Sequence, residues 1–165
     1  AAQKKTVKIL EEMENLCRGK FRKRFKYITW ETNGTRPIEN VLHNYLSSMG
    51  HEVEYFFSVS PKMFNTSGEK DAVCPEIVKQ YHDISDVGQL KFVCNGTDDS
   101  WNEIEESIVK FRDAGVNYPI WIMPVGATEE AQDDNAKEIT LQTMERGYNV
   151  SARVHCYIFG NQIGT

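Results

Sequence analysis

The sequence predicts an α/β fold with about five mostly parallel strands, and three observations carry that expectation. Segments with apolar residues at helical spacing alternate along the chain with short runs rich in β-branched and aromatic residues. Between one such run and the next lies enough chain for a crossover helix, which parallel pairing requires and a hairpin does not. No linker rich in Pro, Gly or Ser and no low-complexity tract interrupts the alternation, so the 165 residues read as one domain. With 40% hydrophobic and 26% charged residues, that domain has enough apolar material for a sizeable core.

The elements follow in order. Residues 5–18 place Val7, Leu10, Met13 and Leu16 on one helical face, and "FKYITWET" follows as the first strand. "IENVLHNYLSSMG" sets Ile38, Val41, Leu42, Tyr45 and Leu46 along one face and stops at Gly50, a residue suited to the left-handed position beyond a helix end, before the strand "VEYFFSVS". "LKFVCN" is the third strand. Ser100 is the expected cap of the helix "WNEIEESIVKFRDAG", and "PIWIMPVG" is the fourth strand. Trp101 and Trp121 are expected in the core. Residues 128–146 form a long amphipathic helix with Thr128 as its cap, and "YNVSARVHCYIFG" is the last strand. No internal repeat is evident.

Charge and cysteine usage narrow the function classes. A net charge of −5, with Lys and Arg interspersed among Asp and Glu, argues against general nucleic-acid or membrane-surface binding and leaves small-molecule chemistry open. No run reaches the length of a membrane-spanning helix, and "AAQKKTVKIL" lacks the apolar core and cleavage site of a secretory signal, so a cytoplasmic location is expected. Cys17, Cys74, Cys94 and Cys156 are scattered without a CxxC-type pair. They read as reduced, structural residues, the alternative being convergence in space on zinc or a cluster.

In sheets with parallel strands the chemistry sits at the carboxyl ends. Here those ends read "ETNGT", "SVSPK", "FVCNGTDD" and "MPVGAT". Glu31 is an acceptor for a ribose hydroxyl or an amine, and Asn33, Gly34 and Thr35 offer a tight turn with free backbone N–H groups. Ser60 supplies one hydrogen bond, Pro61 stiffens the exit, and Lys62 brings one positive charge to a ligand carboxylate. Taken singly, "NGT" is also an ordinary turn and Lys62 an ordinary surface lysine. Recurrence at four successive strand ends favours one ligand-binding rim.

The order of "ETNGT", "SVSPKM", "LKFV", "WIMPVGAT" and "ARVHCYIFGNQIGT" resembles the C-terminal half of the 7-carboxy-7-deazaguanine synthase family, radical S-adenosylmethionine (SAM) enzymes of the deazapurine pathway, over nearly the whole chain. The resemblance implies the C-terminal portion of a (βα)6-type barrel. It implies a lyase that takes 6-carboxy-5,6,7,8-tetrahydropterin, with loss of ammonia, to 7-carboxy-7-deazaguanine, a precursor of queuosine. It further implies SAM, a 4Fe–4S cluster and Mg2+ as cofactors, a flavodoxin-type electron donor, and the capacity to form a homodimer, with no nucleic-acid or membrane partner. Carried over by position, Glu31, Asn33, Ser60 and Lys62 would contact SAM, and Met123, Pro124 and Gly126 would lie beside its adenosine. Arg153 and His155 would face the pterin. On the residues alone, alternation in "SARVHCYIFG" puts Arg153, His155 and Tyr157 on one face, which a solvent-facing surface accounts for better than a ligand contact.

The family's CxxxCxxC cluster motif and its GGEP stretch are not in this sequence. The scattered cysteines do not replace three thiolates in one loop. The expectation is therefore a fragment or one half of a split enzyme, without radical chemistry by itself, whose partner would be the missing N-terminal half. Two alternatives stand beside it: another radical SAM enzyme such as an activase, or a half-barrel binding module without catalysis.

Overall fold

The computed structural model describes residues 2–22, 25–126, 129–154 and 158, with the backbone alone for residue 51 and for residues 129–135. Helix α1 (Ala2–Leu16) ends in a π-helical turn (Cys17–Phe21) and leads to β1 (Tyr27–Thr32), α2 (Asn40–Ser48), a 3-10 turn (Gly50–Glu52) and β2 (Glu54–Val59). The short α3 (Phe64–Ser67) and α4 (Pro75–Ile84) precede β3 (Gly88–Cys94). Then come α5 (Asp98–Asp113), β4 (Ile120–Pro124), α6 (Glu129–Glu145) and β5 (Asn149–Val150). Gly50 has φ +60 beyond the end of α2, as its position in the sequence predicts. Among the described residues, no helix is long and apolar enough to cross a membrane.

All five strands are parallel and run β1-β2-β3-β4-β5 across the sheet. Each strand pairs with its sequence neighbour and the order never reverses. Successive right-handed crossovers then step in one direction and lay their helices on one face of the sheet. Burial follows that geometry. Tyr55, Phe57 and Val59 of β2, Leu90, Phe92 and Cys94 of β3, and Ile120 and Ile122 of β4 point to the helices and are buried. Val78 and Tyr81 of α4, Trp101, Ile104, Ile108 and Phe111 of α5, and Ile139 of α6 complete the core. Trp30, Phe57 and Tyr81 stack in a row, with ring centroids 6.4 Å and 5.3 Å apart.

Four expectations are corrected. The cap of α5 is Thr97, whose Oγ1 accepts the Ser100 N–H at 3.3 Å, while Ser100 lies inside the first turn and is buried. Trp121 is half-buried on the face away from the helices, because the alternation of β4 turns Ile120 and Ile122 inward. In α1 the sequence face dissolves after Leu10: Met13 and Leu16 are exposed, since α1 rests on α2 and on no strand of the sheet in a substantial way. The last strand is two residues long, and the backbone is already helical at Val154, so strand alternation does not reach Arg153. Thr128, His155, Cys156 and Tyr157 lie outside the described residues.

Candidate functional site

The carboxyl ends of β1 and β2 frame an open cleft of about 340 Å³ lined by Glu31, Thr32, Asn33, Ser58, Ser60, Lys62 and Lys91. Each side chain arrives by strand alternation. Glu31 pairs with Ser58 in register and Phe57–Val59 pair with Gly88–Leu90, so Glu31, Ser58 and Gln89 form one row across the face free of helices. Gln89 Nε2 donates to Ser58 Oγ at 2.8 Å and holds that hydroxyl in the row. The Ser60 backbone N–H donates to the Thr32 carbonyl at 2.8 Å, which carries the pairing one residue past the end of β2. Alternation then continues through the exit: Pro61 and Met63 turn inward and are buried, while Ser60 is half-buried and Lys62 exposed.

The turn after β1 works differently from its sequence reading. Gly34 N–H donates to Thr32 Oγ1 at 3.1 Å, and Asn33 Oδ1 accepts both the Thr35 N–H at 3.2 Å and the Thr35 hydroxyl at 2.8 Å. The N–H groups of Gly34 and Thr35 are thus spent inside the turn, and Asn33 has only its amide nitrogen left for a ligand. The same turn recurs after β3. Gly96 N–H meets Cys94 Sγ at 3.4 Å, and Asn95 Oδ1 accepts the Thr97 N–H at 3.0 Å and its hydroxyl at 2.7 Å. Gly34 and Gly96 have φ +80 and +83. A repeat of one turn, Asn-Gly-Thr, is therefore present where none was expected.

Neighbouring helices fix both rim loops. Gln3 of α1 donates to the Pro37 carbonyl at 2.7 Å and accepts the Glu39 N–H at 2.8 Å, Gln80 of α4 accepts the Ile38 N–H at 3.1 Å, and the Tyr81 hydroxyl donates to the Arg36 carbonyl. Burial pushes the Tyr81 hydroxyl above its ordinary pKa, partly offset by hydrogen bonding with Thr32. Beyond Lys62, the Glu103 carboxylate of α5 accepts the N–H groups of Phe64 and Asn65 at 2.6 and 3.0 Å.

Four of the nine predicted site residues, Glu31, Asn33, Ser60 and Lys62, meet in this cleft. Met123, Pro124 and Gly126 do not line it: they belong to the end of β4, with β3 between, and Pro124 faces the helices while Met123 takes the open face. Arg153 is half-buried just past β5. Sequence reasoning missed Ser58 and Lys91. Lys91 carried a signal, being the one charged residue between Leu90 and Phe92 in an interior strand.

Cys94 faces the helices at the end of β3, and burial pushes its thiol up despite hydrogen bonds from Gly96 and Ser100. Cys17 sits in the π-helical turn after α1 and Cys74 just before α4. Among the described residues, no three His, Cys, Asp or Glu side chains converge as a metal site. Fold and cleft together define a singly wound parallel α/β sheet with a small, polar, mixed-charge pocket at its carboxyl edge. Comparison with known protein families, curated proteins and solved structures finds no match.

Proposed function

We propose that the chain is the C-terminal part of a cytoplasmic radical SAM enzyme of the 7-carboxy-7-deazaguanine synthase type, acting on 6-carboxy-5,6,7,8-tetrahydropterin. The observation that carries the reading is the meeting of Glu31, Asn33, Ser60 and Lys62, from two strand ends far apart in sequence, in one cleft. A singly wound sheet with helices on one face also suits an arc of a (βα)6-type barrel, its open face turned inward.

The donor set fits the amino-acid end of SAM. Lys62 offers an ammonium to its carboxylate, Glu31 an acceptor to its amine or ribose hydroxyls, and Ser60 a hydroxyl. When bound beside a reduced cluster, SAM supplies hydrogen-abstracting radical chemistry. The described cysteines do not fit that cluster: Cys17, Cys74 and Cys94 occupy three separate elements, and Cys94 is buried against the helices. In this reading the cluster and Mg2+ are held by a segment carrying the CxxxCxxC motif, and a flavodoxin-type protein is the electron donor. The role of the present residues is to bind, orient and desolvate SAM, with Arg153 towards the pterin carboxylate.

The test joins the chain to an amino-terminal segment carrying CxxxCxxC, reconstitutes the cluster anaerobically and follows the pterin by mass spectrometry. 7-Carboxy-7-deazaguanine is the expected product. An assembly that cleaves SAM but leaves the pterin intact would instead be an activase-type enzyme, and one that never binds SAM sinks the reading. In the same assembly Lys62→Ala is expected to weaken SAM binding about tenfold to a hundredfold, from the loss of one charge-assisted contact of roughly 1.5–3 kcal/mol. Its melting temperature should stay put, because Lys62 is exposed.

A further inference from the structure

Lys91 comes from the middle of β3, where its neighbours Leu90 and Phe92 are fully buried on the helix face. Its own side chain takes the open face and is half-buried there. Val59 pairs with Leu90, so the next residues along, Ser60 and Lys91, fall side by side on the cleft floor. Lys62 stands on the rim of the same cleft. Two ammonium groups thus share one small cavity with one carboxylate, Glu31, and none of the three has an ion-pair partner among the described residues.

That excess of positive charge stands out in a protein whose net charge is −5. Two like charges held in one cavity repel until an anion enters between them. A carboxylate has two oxygens, and lysine is a point donor without the fork of arginine, so one ammonium per oxygen makes a two-point grip. We propose that Lys62 and Lys91 together clamp one ligand carboxylate, Lys91 from the floor and Lys62 from the rim. Glu31 then takes the amine or hydroxyl end, and the cleft selects ligands that carry an α-amino-acid moiety.

The proposal rests on the SAM reading for the identity of the ligand and on the cleft alone for its chemistry. The whole chain is titrated calorimetrically with S-adenosylhomocysteine and with 5′-methylthioadenosine, which lacks the amino-acid tail. Lys91→Met keeps the stem and removes the charge. It is expected to weaken S-adenosylhomocysteine about tenfold, to leave methylthioadenosine unchanged and to keep the melting temperature. Lys91→Arg is expected to restore most of the loss. Unchanged S-adenosylhomocysteine affinity in Lys91→Met, or equal loss for both ligands, overturns the clamp. If the parent chain binds neither adenosyl compound, SAM binding waits on the amino-terminal segment and is decided in the joined assembly. The clamp is then decided by L-methionine in saturation-transfer NMR: a signal that Lys91→Met abolishes upholds it, and no Lys91-dependent signal overturns it.

Discussion

Thr32 and Cys94 hold equivalent places before two copies of one turn, and each spends its side chain on the N–H of the following glycine. The turn after β1 also leaves little room at residue 34. A Cβ there would meet Val59 Cγ1 and Val78 Cγ2 at 3.0 Å, and φ +80 is strained for any residue with a Cβ. Gly34→Ala is expected to cost about 2–3 kcal/mol, seen as a melting temperature lower by roughly 5–10 °C; a shift of a degree or less would mean that the turn relaxes freely. Cys94 makes the matching chemical prediction. Burial holds its thiol protonated and shielded, so in the native protein near pH 8 iodoacetamide should label the half-exposed Cys17 and Cys74 well before it. Peptide mapping that finds Cys94 labelled first would contradict its placement.

The elements differ in how openly the sequence announces them. β1 to β4 are legible because Asn-Gly, Ser-Pro and Pro-Val stop each apolar run at the carboxyl edge. The cap of α5 was misread by three residues: Ser100 looks like a cap beside Trp101, but the Asn95 turn hands the role to Thr97. β5 was overread: of the strand expected from Tyr148 onward, Asn149–Val150 pairs with β4, one further bond runs from the Ser151 N–H to the Ile122 carbonyl, and the backbone is helical at Val154. The loop that carries Lys62 owes its position to α5. Removing the Glu103 carboxylate leaves the Phe64 and Asn65 N–H groups without their acceptor. Glu103→Ala should therefore lower stability by about 1 kcal/mol. It should also speed amide hydrogen exchange at residues 64–67 while α5 itself keeps its protection. Uniformly faster exchange throughout α5 would instead make Glu103 a residue of general helix stability.

Across the whole molecule, buried tyrosines set the alkaline limit. Tyr55 donates to the Leu46 carbonyl at 3.0 Å and is pushed up to about 12, by burial first and then by Tyr45 and Glu14. Tyr118, fully buried, is pushed up by burial and by Asp86 and Asp83. In the unfolded chain both titrate near 10. The folded state therefore holds these protons more tightly, its advantage complete below about pH 10 and lost as pH climbs towards the folded values. Melting temperature should be level from about pH 7 to about pH 9 and fall beyond pH 10, with a shallower fall in Tyr55→Phe; a curve still flat near pH 11 would contradict the burial of these rings. The cleft shows the same division between legible and hidden that the elements do. Glu31, Ser60 and Lys62 stand at strand ends, where chain order alone reveals them. Ser58 and Lys91 lie within strands and reach the cleft through the register of neighbouring strands, which the sequence hints at for Lys91 alone, by its charge.

The neighbour-only order of the sheet has a consequence for biosynthesis. A nascent chain leaves the ribosome amino end first, and here the strand each new strand must join has already been made. β2 can settle on β1 while β3 is still being translated, and β3 on β2 while β4 is. In a sheet whose order doubles back, an early pair must wait or reopen to admit a later strand between them. Nothing in the order β1 to β5 asks for such an insertion, so the protein can be assembled by accretion at a single growing edge.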